Sequence, residues 1–178
     1  SYFYQSPLAI AWNSVRFALA TVAISLLVGT IVAYFLSRSR RGTSWLDALL
    51  MLPLGVSAVT LGFGFIITLN RPPLDLRGSW LILVIAHSLV AYPFVVRSLL
   101  PVMRAINPSL REVAAMLGAS PTRSFLHVDL PIIAPALVVG ATFAFAISMG
   151  EFGASMLLVR PEFTTMPVAI FRLLAQPG

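Results

Sequence analysis

This sequence offers few residues with which to do chemistry. Its 178 residues include two histidines, His87 and His127, and six carboxylates: Asp47, Asp75, Glu112, Asp129, Glu151 and Glu162. All twelve basic residues are arginine, and cysteine is absent. The lack of cysteine removes the thiolate nucleophile, the disulfide framework and the cysteine zinc site. The lack of lysine removes the Schiff base and the Gly-x-x-x-x-Gly-Lys-Ser/Thr phosphate loop, so any ATP-driven role needs a partner chain for the hydrolysis. The histidines fall in different elements and join no carboxylate cluster, so no metal or cofactor is expected. Ser88 follows His87 directly, but helix neighbours point about 100° apart and do not face each other. Asp47, Asp75 and Asp129 sit near the ends of apolar stretches, which does not suit an intramembrane aspartyl protease. Ionisable groups at apolar segments are then left with packing, capping or a pathway role. Glu151 and His87, with Ser148 beside the former, are the pathway candidates. For Glu151 the alternatives are a pair with Arg160 or a cap on a backbone turn, and for His87 a hydrogen-bonded packing role.

The elements that hold these residues follow from composition. Hydrophobic residues make up 58% of the chain and charged residues 10%, against roughly a quarter charged in soluble domains. A soluble core of this size could not bury so much apolar surface. Four stretches are long and apolar enough to cross a bilayer, which takes about 20 residues. The expected spans are 14–37, 47–69, 79–100 and 130–156, with a long loop over 105–129, all within one domain covering residues 1–178. Phe163 to Phe171 is too short to cross, and Gln176-Pro177-Gly178 reads as a turn. The chain is therefore expected to be a piece of a longer protein. Arginine placement puts Ser1 outside, Arg38, Arg40 and Arg41 inside, Arg71 to Arg77 outside, Arg97 to Arg123 inside and Arg160 outside. Asp75 with Arg71 and Arg77 reads as a solvated outer turn around Pro72-Pro73. The net charge of +6 bears on this topology before it bears on nucleic acid.

Two spans carry small residues every fourth position: Thr21, Ser25, Gly29 and Ala33 in one, Ala136, Gly140, Ala144 and Ser148 in another. Such stripes let helix backbones approach closely where lipid supplies no hydrophobic drive. The loop over 105–129 is far longer than the two to eight residues usual in bundles. It reads as two short helices joined at Gly118. Either Ser109 with Glu112 or Asn107 followed by Pro108 starts the first. Leu110, Val113, Ala114 and Leu117 give that helix one apolar face. Gly118 can end it in a left-handed conformation, and Ser120 with Pro121 starts the second. The pattern also imitates a DNA-binding helix-turn-helix, with Arg111 and Arg123 near phosphates. The flanking spans leave no room for such a domain, so no nucleic-acid partner is expected.

The loop resembles the EAA loop of binding-protein-dependent ABC transporter permeases. Glu112, Ala114, Ala115, Gly118, Val128, Leu130 and Pro131 stand at matching positions, with Val113 in place of the first alanine and Val128 in place of an isoleucine. Gly150-Glu151-Phe152-Gly153-Ala154-Ser155 resembles a run found in permeases for molybdate, sulfate, ferric iron and thiamine. The third span, with Ala86-His87 and Tyr92-Pro93-Phe94-Val95-Val96-Arg97, looks most like the ferric iron and thiamine branch. The resemblance implies an all-α, polytopic helical bundle of the type I importer permease fold, set in a bacterial or archaeal cytoplasmic membrane in contact with lipid. It implies cytoplasmic ATPase subunits docked on Leu110, Glu112, Val113, Ala114, Ala115, Leu117 and Gly118, with Leu130 and Pro131 closing the motif. It further implies an extracytoplasmic solute-binding protein, a second permease unit (a homodimer partner or a fused half), and ferric iron or thiamine as substrate, with molybdate or sulfate behind. A passive channel is the reading left if the motif is set aside.

Overall fold

A computed structural model describes residues 6–38, 44–69, 76 and 79–175. Arg40, Arg41, Arg71, Asp75, Arg77, the Pro72-Pro73 turn and the Gln176–Gly178 turn lie outside the described residues. Among the described residues, three helical stretches are long and apolar enough to cross a membrane. The first is α1 (Pro7–Arg38). Three shorter helices follow: α2 (Ser44–Leu50), α3 (Leu52–Gly55) and α4 (Ala58–Thr68). The second long helix is α5 (Leu81–Ala105). Two short helices, α6 (Pro108–Met116) and α7 (Pro121–Ser124), lead through a π-helical turn at Phe125–Asp129 into α8 (Leu130–Gly150), and α7 to α8 form the third long stretch. The described chain ends with α9 (Gly153–Leu158), a 3₁₀ turn at Pro161–Phe163 and α10 (Met166–Leu174).

The expected single helix over 47–69 is broken in the structure. Pro53 sits in the first turn of α3, where its missing N–H costs nothing. Val56 and Ser57 then take extended backbone conformations, at ψ 135° and ψ 134°, before α4 begins. The α4 segment alone, 11 residues long, rises only about 16 Å and cannot cross the roughly 30 Å hydrocarbon layer by itself. The stretch over 130–156 is also interrupted: α8 stops at Gly150, and Glu151 is extended at ψ 108°. Pro53 and Gly55 stand just before the first break and Gly150 at the second, residues that weaken a helix without fixing where it stops.

The bundle is α1, α5 and α8 packed together, with α5 the most buried of the three. Both small-residue stripes face inward: Thr21, Ser25, Gly29 and Ala33 are buried on α1, and Ala136, Gly140, Ala144 and Ser148 on α8. They meet on α5 at Val95, which is fully buried. A Cβ added at Gly29 would lie 2.7 Å from Val95 Cγ1 and 3.3 Å from the carbonyl of Tyr92. One added at Gly140 would lie 3.3 Å from Val95 Cα. Leu19, Leu27, Ile31 and Phe35 of α1 and Val138 and Phe143 of α8 remain exposed, as suits side chains solvated by lipid. Tyr92 Oη donates to the carbonyl of Leu50, fastening the broken segment to α5. A second close crossing joins α4 to α9. A Cβ at Gly62 would meet Ala154 Cα at 3.1 Å, and one at Gly153 would meet Val59 N at 3.2 Å.

The packing predicts a specific coupling. Gly29→Ala is expected to destabilise the bundle by about 1–3 kcal/mol through overpacking. In a Val95→Ala background only part of that loss should disappear, because the Cγ1 methyl is gone while Val95 Cβ stays 2.8 Å from the added carbon. Unfolding of the four variants of this cycle in detergent measures it. Strictly additive losses would show that Val95 is not what Gly29 makes room for.

Candidate functional site

The segment between α5 and α8 is built by local rules. Asn107 wins the competition to start α6: its Oδ1 accepts the Ser109 N–H at 3.1 Å, and Pro108 takes the first helical position. The rival capping box of Ser109 and Glu112 does not set the helix start, because Pro108 is already helical. Gly118 ends the helix at φ +81°. Its N–H donates to Ala115 O at 2.9 Å, and the next N–H, of Ala119, reaches back to Ala114 O at 2.9 Å. That pair of bonds is the Schellman arrangement, which satisfies the last carbonyls and favours glycine. Ser120 Oγ then accepts the Arg123 N–H at 3.3 Å to start α7.

The chain continues from α7 into α8 through the π turn, where the Leu130 N–H bonds to Phe125 O. Pro131 follows at once and can offer no N–H to the residue four positions back. A widened turn takes up this mismatch without ending the helix. Tyr34 of α1 packs edge-on against Phe125 at 6.0 Å, holding the turn against the bundle.

An ion pair fixes α6 to this base. Arg111 Nε donates to Asp129 Oδ1 at 2.9 Å and to Oδ2 at 3.1 Å. The Asp129 side chain is 5% exposed and that of Arg111 24%. Sequence reasoning missed this pair, treating Arg111 as a potential phosphate contact and Asp129 as a span-end residue. The 18-position separation carries no periodic signal, and only the fold closes it. Arg111 and Ala114 form the half-buried edge of α6. Leu110, Glu112, Val113, Ala115, Met116, Leu117 and Gly118 are exposed, Met116 at 86% and Leu117 at 83%. Met116 thus joins the outward apolar face that the sequence assigned to Leu110, Val113, Ala114 and Leu117, while Ala114 turns partly inward. Leu130 and Pro131 lie elsewhere: Leu130 packs against the bundle core, and Pro131 is exposed on α8.

The pathway candidates separate in the same way. His87 and Ser148 come together in a buried polar chain. His87 Nδ1 lies 2.8 Å from Ser148 Oγ, and His87 Nε2 lies 2.8 Å from Ser155 Oγ. Ser148 Oγ lies 3.3 Å from Thr21 Oγ1. Each hydroxyl in this chain can donate one proton and accept another, so both ring nitrogens are satisfied whichever tautomer the imidazole takes. The chain joins α1, α8, α5 and α9 with all four side chains buried, His87 at 1% exposure. Thr21 sat in the sequence only as a small stripe residue and Ser155 only as the end of a motif, so their part in this chain went unread. Glu151 stays outside this set. Its Oε1 accepts the Ala154 N–H at 3.0 Å and so caps the first turn of α9.

This geometry defines a polytopic helical membrane protein that presents a short, rigidly held helix with an uncovered apolar face. The family profile described as binding-protein-dependent transport system inner membrane component matches residues 25–174. The chain belongs to that family and is an inner-membrane transport permease, with an all-α fold of the type I importer class. A chain of Salmonella typhimurium named as a permease protein for 2-aminoethylphosphonate transport is 30% identical over 178 residues, covering 97% of this chain and 67% of its own length. The molybdenum transport system permease protein of Escherichia coli is 30% identical over 186 residues, covering 94% of this chain and 81% of its own. The Escherichia coli sulfate transport system permease protein is 36% identical over 137 residues, covering 71% and 50%. The leaning toward ferric iron and thiamine drawn from the third span finds no counterpart in these names.

The ion pair yields a test. Arg111→Gln leaves Asp129 buried without its cation, a loss of about 1.5–3 kcal/mol for a charged hydrogen bond. Amide exchange in α6 should then accelerate while α1 and α5 stay protected. Unchanged exchange in α6 would show that the pair does not hold the helix.

Proposed function

We propose that this chain is the permease subunit of an ATP-driven importer, and that α6 is where separate cytoplasmic ATPase subunits push on it. The observation that carries the reading is the uncovered face of Leu110, Val113, Met116 and Leu117 on a helix whose opposite edge is tied down by Arg111 and Asp129. A soluble partner gains by burying such a face, and the tie makes the helix a lever in place of a loose loop. Glu112 and Ala115 lie on the same exposed surface, and Gly118 sets the turn that ends it. An extracytoplasmic binding protein delivers the substrate, and a second permease unit completes the pathway. In this reading α6 faces the cytoplasm.

The substrate class we infer is a small oxyanion. The relatives are named for phosphonate, molybdenum and sulfate transport, and molybdenum is carried in water as the tetrahedral oxyanion molybdate.

Three experiments test these statements. The full-length protein should co-purify with its ATPase subunit, and Leu117→Asp should weaken that capture at least about tenfold, since burying one leucine contributes about 1.5–3 kcal/mol. Gly118→Asp should insert normally, because the space around its Cβ is open, yet lose uptake through strain at φ +81°. Capture that is indifferent to Leu117 would sink the docking assignment. For the substrate, ATP hydrolysis by the reconstituted complex with its binding protein should rise with molybdate, sulfate or a phosphonate. Stimulation by ferric iron or thiamine alone would overturn the oxyanion reading.

A further inference from the structure

The buried chain of Thr21, Ser148, His87 and Ser155 has no part in docking α6, and its placement asks for one. Three of its members sit on α1, α8 and α5, the packed bundle. The fourth, Ser155, sits on α9, beyond the extended residue Glu151. That joint separates α9 from α8, while the Gly62 and Gly153 crossing packs α9 tightly against α4. The molecule thus holds two bodies, α1/α5/α8 and α4/α9, and the two ring nitrogens of His87 reach one into each.

We propose that His87 is a positioning residue for transport: it ties the α4/α9 body to the bundle through Ser155, and the tie opens and re-forms as the pathway changes state. The inference rests on the import reading above. Its physical basis is that a buried imidazole satisfied at both nitrogens favours one arrangement over displaced ones that leave a nitrogen unpaired. A displacement of α9 breaks one bond, between Nε2 and Ser155, and leaves the bundle side intact. Apolar contacts between the bodies, among them Ala154 and Leu158 against the Phe17, Ile82 and Leu83 cluster, hold them together without direction, and the polar tie adds a directed bond that fixes one register.

The test uses the full-length complex, with ATPase and binding protein, in proteoliposomes. The 178 residues contain no cysteine, so Ile85→Cys on α5 and Met156→Cys on α9, both exposed, take spin labels that report the distance between the bodies. The wild type should show one distance at rest and a second, longer one during turnover. Ser155→Ala, which removes a single buried hydroxyl, should show the longer distance at rest and lower transport about fivefold, the factor that loss of one hydrogen bond carries. His87→Phe, which keeps a ring and loses both bonds, should do the same more strongly. If that variant fails to insert, Ser155→Ala decides alone. One unchanged distance through wild-type turnover overturns the proposal. So does Ser155→Ala with wild-type transport, or with reduced transport and no longer distance at rest. A wild-type complex that captures no ATPase defeats the import reading instead, while the resting distance in Ser155→Ala still reads the tie.

Discussion

Val95 lies where α1 and α8 both come closest to α5, and that contact sets the geometry of the bundle. In a bilayer, apolar side chains gain little by leaving lipid for one another, so helices associate through close van der Waals fit. Gly29 and Gly140 supply that fit by having no side chain at the two points where Val95 needs space. The small residues one and two turns away extend the contact along both stripes. The approach then brings polar side chains near the same level into range: Thr21 is two turns from Gly29 on α1, and Ser148 is two turns from Gly140 on α8. A wider spacing of the helices would leave His87 without its partners.

The same device recurs at the α4/α9 crossing, where Gly62 and Gly153 replace side chains that would collide with the opposite backbone. Here the helices are short, with extended residues before α4 at Val56–Ser57 and around α9 at Glu151 and Val159, and the pair packs beside the bundle. Glu151 serves this body locally: its carboxylate satisfies the Ala154 N–H where α9 begins. A carboxylate at the end of a spanning segment invites a transport role, and its hydrogen bond shows that it also caps a helix.

Much of this was legible in the sequence. The spacing of Thr21, Ser25, Gly29 and Ala33 marks a contact face, and that face is buried. Gly118 and Ser120 read as helix stop and helix start, and they act so, because these are rules of one turn. Pro53, Gly55 and Gly150 signalled weak points near Val56–Ser57 and Glu151, but hydropathy registers how apolar a stretch is and is blind to whether its backbone is helical throughout, so the breaks were not placed. The choice of Asn107 over Ser109 lay between two local signals of similar strength, and Pro108 decided it. Arg111 with Asp129, and His87 with Ser155, lay beyond reach for another reason. Each pair joins positions many turns apart, and no periodicity carries information across a change of direction.

The helix α8 makes these separate observations one argument. At its base, Asp129 holds Arg111 and thereby α6 with its uncovered apolar face. Near its far end, Ser148 holds His87 and thereby, through Ser155, the α4/α9 body. Its 21 residues rise about 31 Å, the thickness of the hydrocarbon layer. Pro135 removes one backbone hydrogen bond near the base of α8, so the helix can bend there while the turns beyond it lead on to Ser148. The π turn between α7 and α8 is the place where the base can yield, because a wider turn sits next to a proline that cannot tighten it. The uncovered face of α6 and the buried histidine are therefore linked through one continuous helix, by Asp129 at its base and by Ser148 near its far end.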